Sequence, residues 1–129
     1  ERVPRTLPPL ERSLEIQKKV AKVGFDWPEV RPVWDKLQEE IDELKAAAAG
    51  NDPRAVEQEF GDLLFTMVNL GRLLDLDPTL ALNGTNQKFI ARFQELERRL
   101  AERGTTAKQS SLEEMDRVWE EIKAEGGAG

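Results

Sequence analysis

Apolar side chains recur at helical spacing along almost the whole chain, and no alternating apolar and polar run is long enough for a strand. The pattern predicts a first helix from about Pro9 to Val23, with Gly24 placed to stop it. A loop carrying Phe25, Trp27 and Pro28 follows. The second helix, from about Val30 to Ala49, gathers Val33, Leu37, Ile41 and Leu44 on one face and ends in an alanine run before Gly50. Asp52 as a cap and Pro53 in the first turn open a third helix through about Leu74, and Asp77 with Pro78 repeats that signature for the fourth. The fourth is expected to break near Gly84 and resume to Arg103, with Phe89, Phe93, Leu96 and Leu100 at helical spacing and Gly104 beyond. Ser111 to Glu114 reads as a capping box for a last helix through Ala124. The expected fold is all-α, an antiparallel four-to-five-helix bundle spanning residues 10–125, with 1–9 as a linker segment and 126–129 as a flexible tail.

The polar positions that interrupt this pattern carry the chemistry. Helix three is apolar around most of its circumference, which marks a buried helix and suggests a dimer, because a lone small bundle would not cover it. Glu59, Asp62, Thr66 and Asn69 stand on it at i, i+3, i+7 and i+10, one narrow polar stripe. Helix two carries Glu39, Glu40 and Glu43. At about 100° per residue, Glu40 flanks the apolar stripe, Glu43 follows one turn on, and Glu39 is rotated away. Two helices offering carboxylates at i and i+3 can converge Glu40, Glu43, Glu59 and Asp62 on one point. Unpaired, each would cost on the order of several kcal/mol in desolvation, so a cation must compensate. The cation is either a metal or the side chains of Lys and Arg in ordinary ion pairs.

Composition narrows that choice. The 129 residues fit one soluble domain and hold 25 acidic against 19 basic side chains, a net charge of -6, with no His and no Cys. Ser-His-Asp and Cys-His nucleophiles, thiolate metal sites and disulfides are thereby excluded. Oxygen donors alone select a hard cation, with Mg²⁺ the usual choice where phosphates complete the shell and Mn²⁺ able to substitute. The acidic balance argues against nucleic-acid polymers and membranes as partners, no segment approaches the roughly 20 apolar residues of a span, and the expected compartment is the cytoplasm. Lys88 and Arg92, at i and i+4 beside the Phe89 and Phe93 face, are packing residues by themselves but phosphate ligands near a metal. Asn86 could add an amide contact. Trp27 and Trp119 could stack on a nucleobase, whereas Trp34 reads as core.

Taken together, Gly24-Phe25-Asp26-Trp27, Asp35-Lys36, Glu39-Glu40-Ile41-Asp42-Glu43, Glu59-Phe60-Gly61-Asp62 and Asn86-Gln87-Lys88-Phe89 with Arg92-Phe93 resemble the MazG nucleoside triphosphate pyrophosphohydrolases. The family pattern EExxE then ExxD is met by Glu39, Glu40 and Glu43, then Glu59 and Asp62, with 15 residues between the halves. The resemblance, from about Leu7 to Lys123, is greatest to the C-terminal domain of a two-domain MazG. It implies a helical homodimer that hydrolyses nucleoside triphosphates to monophosphate and pyrophosphate with Mg²⁺ and cleans nucleotide pools. It further implies Glu40, Glu43, Glu59 and Asp62 as metal ligands, Lys88 and Arg92 as phosphate ligands, and Trp119 as a base or ribose contact. Glu39 or Glu43, where not engaged by metal, would accept a proton from the attacking water. Gly84 departs from the family, which often has Lys there. Alternatives within and outside catalysis are a pyrophosphatase preferring dUTP, dCTP or a damaged nucleotide, and a catalytically weak dimerisation or regulatory module.

Overall fold

The computed structural model describes residues 3–126; residues 1, 2 and 127–129, the ends of the expected linker and tail, lie outside the described residues. Five helices account for the fold, and no strand occurs among the described residues: α1 (Pro9–Lys22), α2 (Arg31–Ala48), α3 (Pro53–Leu73), α4 (Pro78–Glu102) and α5 (Leu112–Glu125). Their ends follow the predicted signals. Asp52 Oδ1 accepts from the Arg54 N–H at 3.1 Å, Asp77 Oδ1 from the Thr79 and Leu80 N–H groups, and Ser111 Oγ from the Glu114 N–H at 3.1 Å. Gly24 and Gly104 adopt φ of 95° and 79°, and each closes its helix with the paired bonds of a Schellman motif: Phe25 to Val20 and Gly24 to Ala21, Thr105 to Leu100 and Gly104 to Ala101. Asp75 does the same for α3 at φ 61°, where a side chain is tolerated less well than glycine.

The predicted break at Gly84 is absent. Helix α4 runs unbroken from Pro78 to Glu102, because one glycine weakens a helix by only about 1 kcal/mol and neighbouring turns outweigh it. A Cβ at Gly84 would meet nothing within 4 Å, so packing does not demand glycine there.

The chain divides into two compact units, Glu1–Ala81 and Leu82–Gly129. In the first, α1 and α2 both pack on α3, around Leu14, Val33, Val68 and Leu70. In the second, Leu96 and Leu100 of α4 meet Val118 and Ile122 of α5, flanked by Phe93, Met115 and Trp119. Two expectations about burial are corrected. Helix α3 is not enclosed all round: Val68 and Leu70 are buried, but Phe60, Leu64, Phe65 and Met67 are exposed, since two neighbours cover only part of its circumference. Trp34 is not core either; it is half exposed on α2, one position from the buried Val33, because adjacent helix positions diverge by about 100°.

Ion pairs along α4 lower the pKa of the carboxyls they hold. Arg98 and Arg99 both hydrogen-bond Glu95, at 2.6 to 2.9 Å, and hold its carboxyl down to about 2. Arg99 also reaches Glu125 of α5 and lowers its pKa. A carboxyl whose pKa falls on folding contributes stability that is complete above its ordinary value of 4.5 and is lost as pH falls through the folded value. The melting temperature should therefore fall between pH 4.5 and 2, and by less in Glu95→Gln, as followed by circular dichroism. An equal acid slope in the two proteins would contradict this assignment.

Candidate metal centre

Helices α2 and α3 are joined by the short turn around Gly50 and pack side by side, which brings the end of one acidic motif to the start of the other. Carboxylate oxygens of Glu40, Glu43 and Glu59 all lie within 4.8 Å of one another. Glu40 is buried, Glu59 half-buried and Glu43 exposed. The predicted foursome is thus three at this spacing: Asp62, one turn beyond Glu59, is exposed and stands outside that group. Glu39 is exposed as well, on the side of α2 to which helix geometry rotates it.

Charge balance at this cluster is incomplete. Lys36, one turn before Glu40, places Nζ 2.9 Å from Glu40 Oε2 and 3.8 Å from Glu39 Oε2. Glu40 and the desolvation opposing it act on that ammonium, with the net effect of raising its pKa. One lysine cannot neutralise three carboxylates. Burial first, then the charge of Glu40 and a hydrogen bond with Glu59, push the Glu43 carboxyl up. Glu40 Oε1 and Glu59 Oε1 remain buried without a hydrogen-bond partner. Buried acceptors of that kind are rare in folded proteins, and oxygen-only donors of converging negative charge fit a hard divalent cation. A lysine ion pair thus holds one oxygen of Glu40, and the two unpartnered acceptors stand in a cluster that could hold a metal ion.

The remaining candidates are distributed more widely. Trp27 is half-buried on the loop after α1 and lines a cavity of about 650 Å³ with Lys36, Phe65 and Thr66. Its loop is tied to α3 by Arg72, whose guanidinium bonds Asp26 and also donates twice to Asn69 Oδ1, at 3.0 and 2.8 Å. That arginine holds the Asp26 carboxyl below its usual range. In the second unit, Asn86 and Lys88 are exposed on α4 and Arg92 is half-buried; none of the three makes an ion pair or side-chain hydrogen bond among the described residues. Trp119 packs on the Leu96 and Val118 core, its ring 5.1 Å from Phe89, so its surroundings are those of a packing residue. Sequence reasoning missed Lys36 as the ion-pair partner of Glu40, although its i−4 position on α2 was the available signal.

Comparison with known proteins identifies the family. The family model for the MazG nucleotide pyrophosphohydrolase domain matches residues 32–96, just over half of the chain, and those residues include all three clustered carboxylates with Asp62, Lys88 and Arg92. The nucleoside triphosphate pyrophosphohydrolase of Escherichia coli K12 is 47% identical over 123 residues, 94% of this chain and 47% of that protein. The Thermotoga maritima protein named nucleoside triphosphate pyrophosphohydrolase/pyrophosphatase MazG is 42% identical over 121 residues, 94% of this chain and 46% of that protein. The chain spans just under half the length of both relatives. Bacillus subtilis YabN is 43% identical over 68 residues, 53% of this chain and 14% of its own length. With the domain match covering the acidic motifs and near-complete overlap at this identity, the chain belongs to the MazG nucleotide pyrophosphohydrolase family.

Proposed function

We propose that this chain hydrolyses nucleoside triphosphates to nucleoside monophosphate and pyrophosphate, with Mg²⁺, or Mn²⁺ in its place, held by Glu40, Glu43 and Glu59 and completed by Asp62 from the next turn of α3. The observation that carries the reading is the cluster itself: three carboxylates within 4.8 Å with two buried, unpartnered oxygens, on a chain of this family. The names of the Escherichia coli and Thermotoga maritima relatives support it. When bound, such a cation polarises the α-phosphate and lowers the pKa of a nearby water. The chain's own groups do the rest. A carboxylate of α2 left free by the cation, Glu39 or Glu43, accepts the proton of the attacking water; the water oxygen bonds to the α-phosphorus as the bond to the bridging oxygen breaks and pyrophosphate leaves. Lys88 as a point charge and Arg92 as a bidentate fork hold phosphoryl oxygens, with Asn86 as an amide contact. Trp27 supplies a stacking plate, and Trp119 a second one if it turns from its core contacts.

The same reading makes the protein a cytoplasmic homodimer that cleans nucleotide pools. No described helix is long and apolar enough to cross a membrane, and the exposed Phe60, Leu64 and Met67 of α3 are the apolar surface a second copy would cover. Incubation with the four common NTPs and Mg²⁺ should release monophosphate and pyrophosphate in equal amounts. Release of orthophosphate and nucleoside diphosphate would contradict the proposal.

A further inference from the structure

The acidic centre carries a cation of its own. Lys36 stands on α2 one turn before Glu40, and its Nζ lies 2.9 Å from Glu40 Oε2. The two ends of that pair differ in their access to solvent, the Glu40 side chain being 5% exposed and that of Lys36 37%. Glu40 is therefore enclosed, whereas the ammonium reaches it from the open side on a flexible four-carbon stem. A second carboxylate stands beside the same ammonium. Glu39 Oε2 is 3.8 Å from Lys36 Nζ and its side chain is 57% exposed, so a small swing of the stem carries the charge from a buried partner to a solvated one. Glu40 has no such freedom. It shares its cluster with Glu43 and Glu59, whose oxygens lie within 4.8 Å of its own, and Oε1 of Glu40 and Oε1 of Glu59 are buried without a hydrogen-bond partner. With no cation on Oε2, three carboxylates would repel one another at close range.

We propose that Lys36 is a tethered stand-in for the metal: its ammonium holds Glu40 while the cluster binds no divalent ion, and a divalent ion that takes Glu40 drives it across to Glu39. The inference rests on the metal reading of the acidic cluster and adds to it a competitor built into the same helix. Ammonium and metal need the same carboxylate oxygen, and two cations at adjoining positions repel, so the attraction of the cluster for a metal is partly offset by displacement of the lysine. The consequence is a centre that stays folded without metal and holds a lone divalent ion weakly enough to exchange it. Lys36 is here a positioning residue, because it acts through Glu40.

The test is Mn²⁺ binding, read from the loss of the free-ion paramagnetic resonance signal, in wild type, Lys36→Met and Lys36→Arg. Methionine keeps much of the stem and removes the charge, so Lys36→Met should bind Mn²⁺ at least about tenfold more tightly than wild type. Arginine keeps the charge, and Lys36→Arg should bind no more tightly than wild type. Melting followed by circular dichroism supplies the reciprocal readout, since an ion that binds the folded state more tightly stabilises it more. Lys36→Met should melt below wild type in EDTA, and saturating Mg²⁺ should close or reverse that gap. A purely structural lysine would give the same gap with and without Mg²⁺, and a lysine that supports the metal ligand would give weaker Mn²⁺ binding in Lys36→Met; either result overturns the proposal. Should Lys36→Met not fold in EDTA, Lys36→Gln, which retains a hydrogen-bond donor for Glu40, decides by the same Mn²⁺ titration. Equal Mn²⁺ binding by wild type and Lys36→Met refutes the stand-in and leaves the metal centre in place, whereas no Mn²⁺ binding by any of these proteins removes the centre as well.

Discussion

Glu40→Gln is expected to lower NTP turnover by at least about a hundredfold while leaving the helical fold intact. Substituting groups that only support a metal ligand already costs 10- to 100-fold, and Glu40 is placed to be a ligand itself. Its carboxyl is buried, with Oε2 on Lys36 and Oε1 on nothing. The amide keeps the shape and an oxygen but removes the charge that would attract a divalent cation. It also relieves repulsion from Glu43 and Glu59, so the metal-free variant should melt no lower than wild type despite the weaker bond to Lys36. That combination separates a ligand from a structural residue. Turnover within a factor of a few of wild type, or loss of function that tracks loss of helicity, would remove Glu40 from the metal site.

A second large effect is expected in the unit that holds none of the clustered acids. Leu100 is fully buried against Val118, Leu96 and Ile122. Leu100→Ala should destabilise by about 3 kcal/mol, from lost apolar burial and the cavity left behind. For a chain of this size that is a fall of roughly 10 °C in melting temperature. Leu112, 71% exposed at the start of α5, provides the control: Leu112→Ala should cost well under about 1 kcal/mol. Equal shifts in the two variants would show that the α4 and α5 contact does not carry stability as described.

The elements were legible because their ends are local chemistry. Asp52, Asp77 and Ser111 cap, and Gly24 and Gly104 stop, through bonds made within a few residues. Glu40, Glu43 and Glu59 were legible because two periodicities placed them on facing flanks. What escaped depends on neighbours rather than on period. Exposure of Phe60 and Met67 follows from how few helices cover α3, and no single-helix pattern contains that information. Asp62 sits at the right spacing yet is exposed, since i+3 along a helix fixes a face only within tens of degrees.

The facing acidic motifs of α2 and α3 are expected to hold a divalent cation. Titration of the metal-free protein with Mn²⁺, followed by the loss of its free-ion paramagnetic resonance signal, addresses it without requiring turnover. Wild type should bind Mn²⁺ in competition with Mg²⁺, and Glu40→Gln and Glu59→Gln should each weaken binding at least about tenfold at unchanged helicity. Mn²⁺ binding that is indistinguishable among the three proteins would contradict the account.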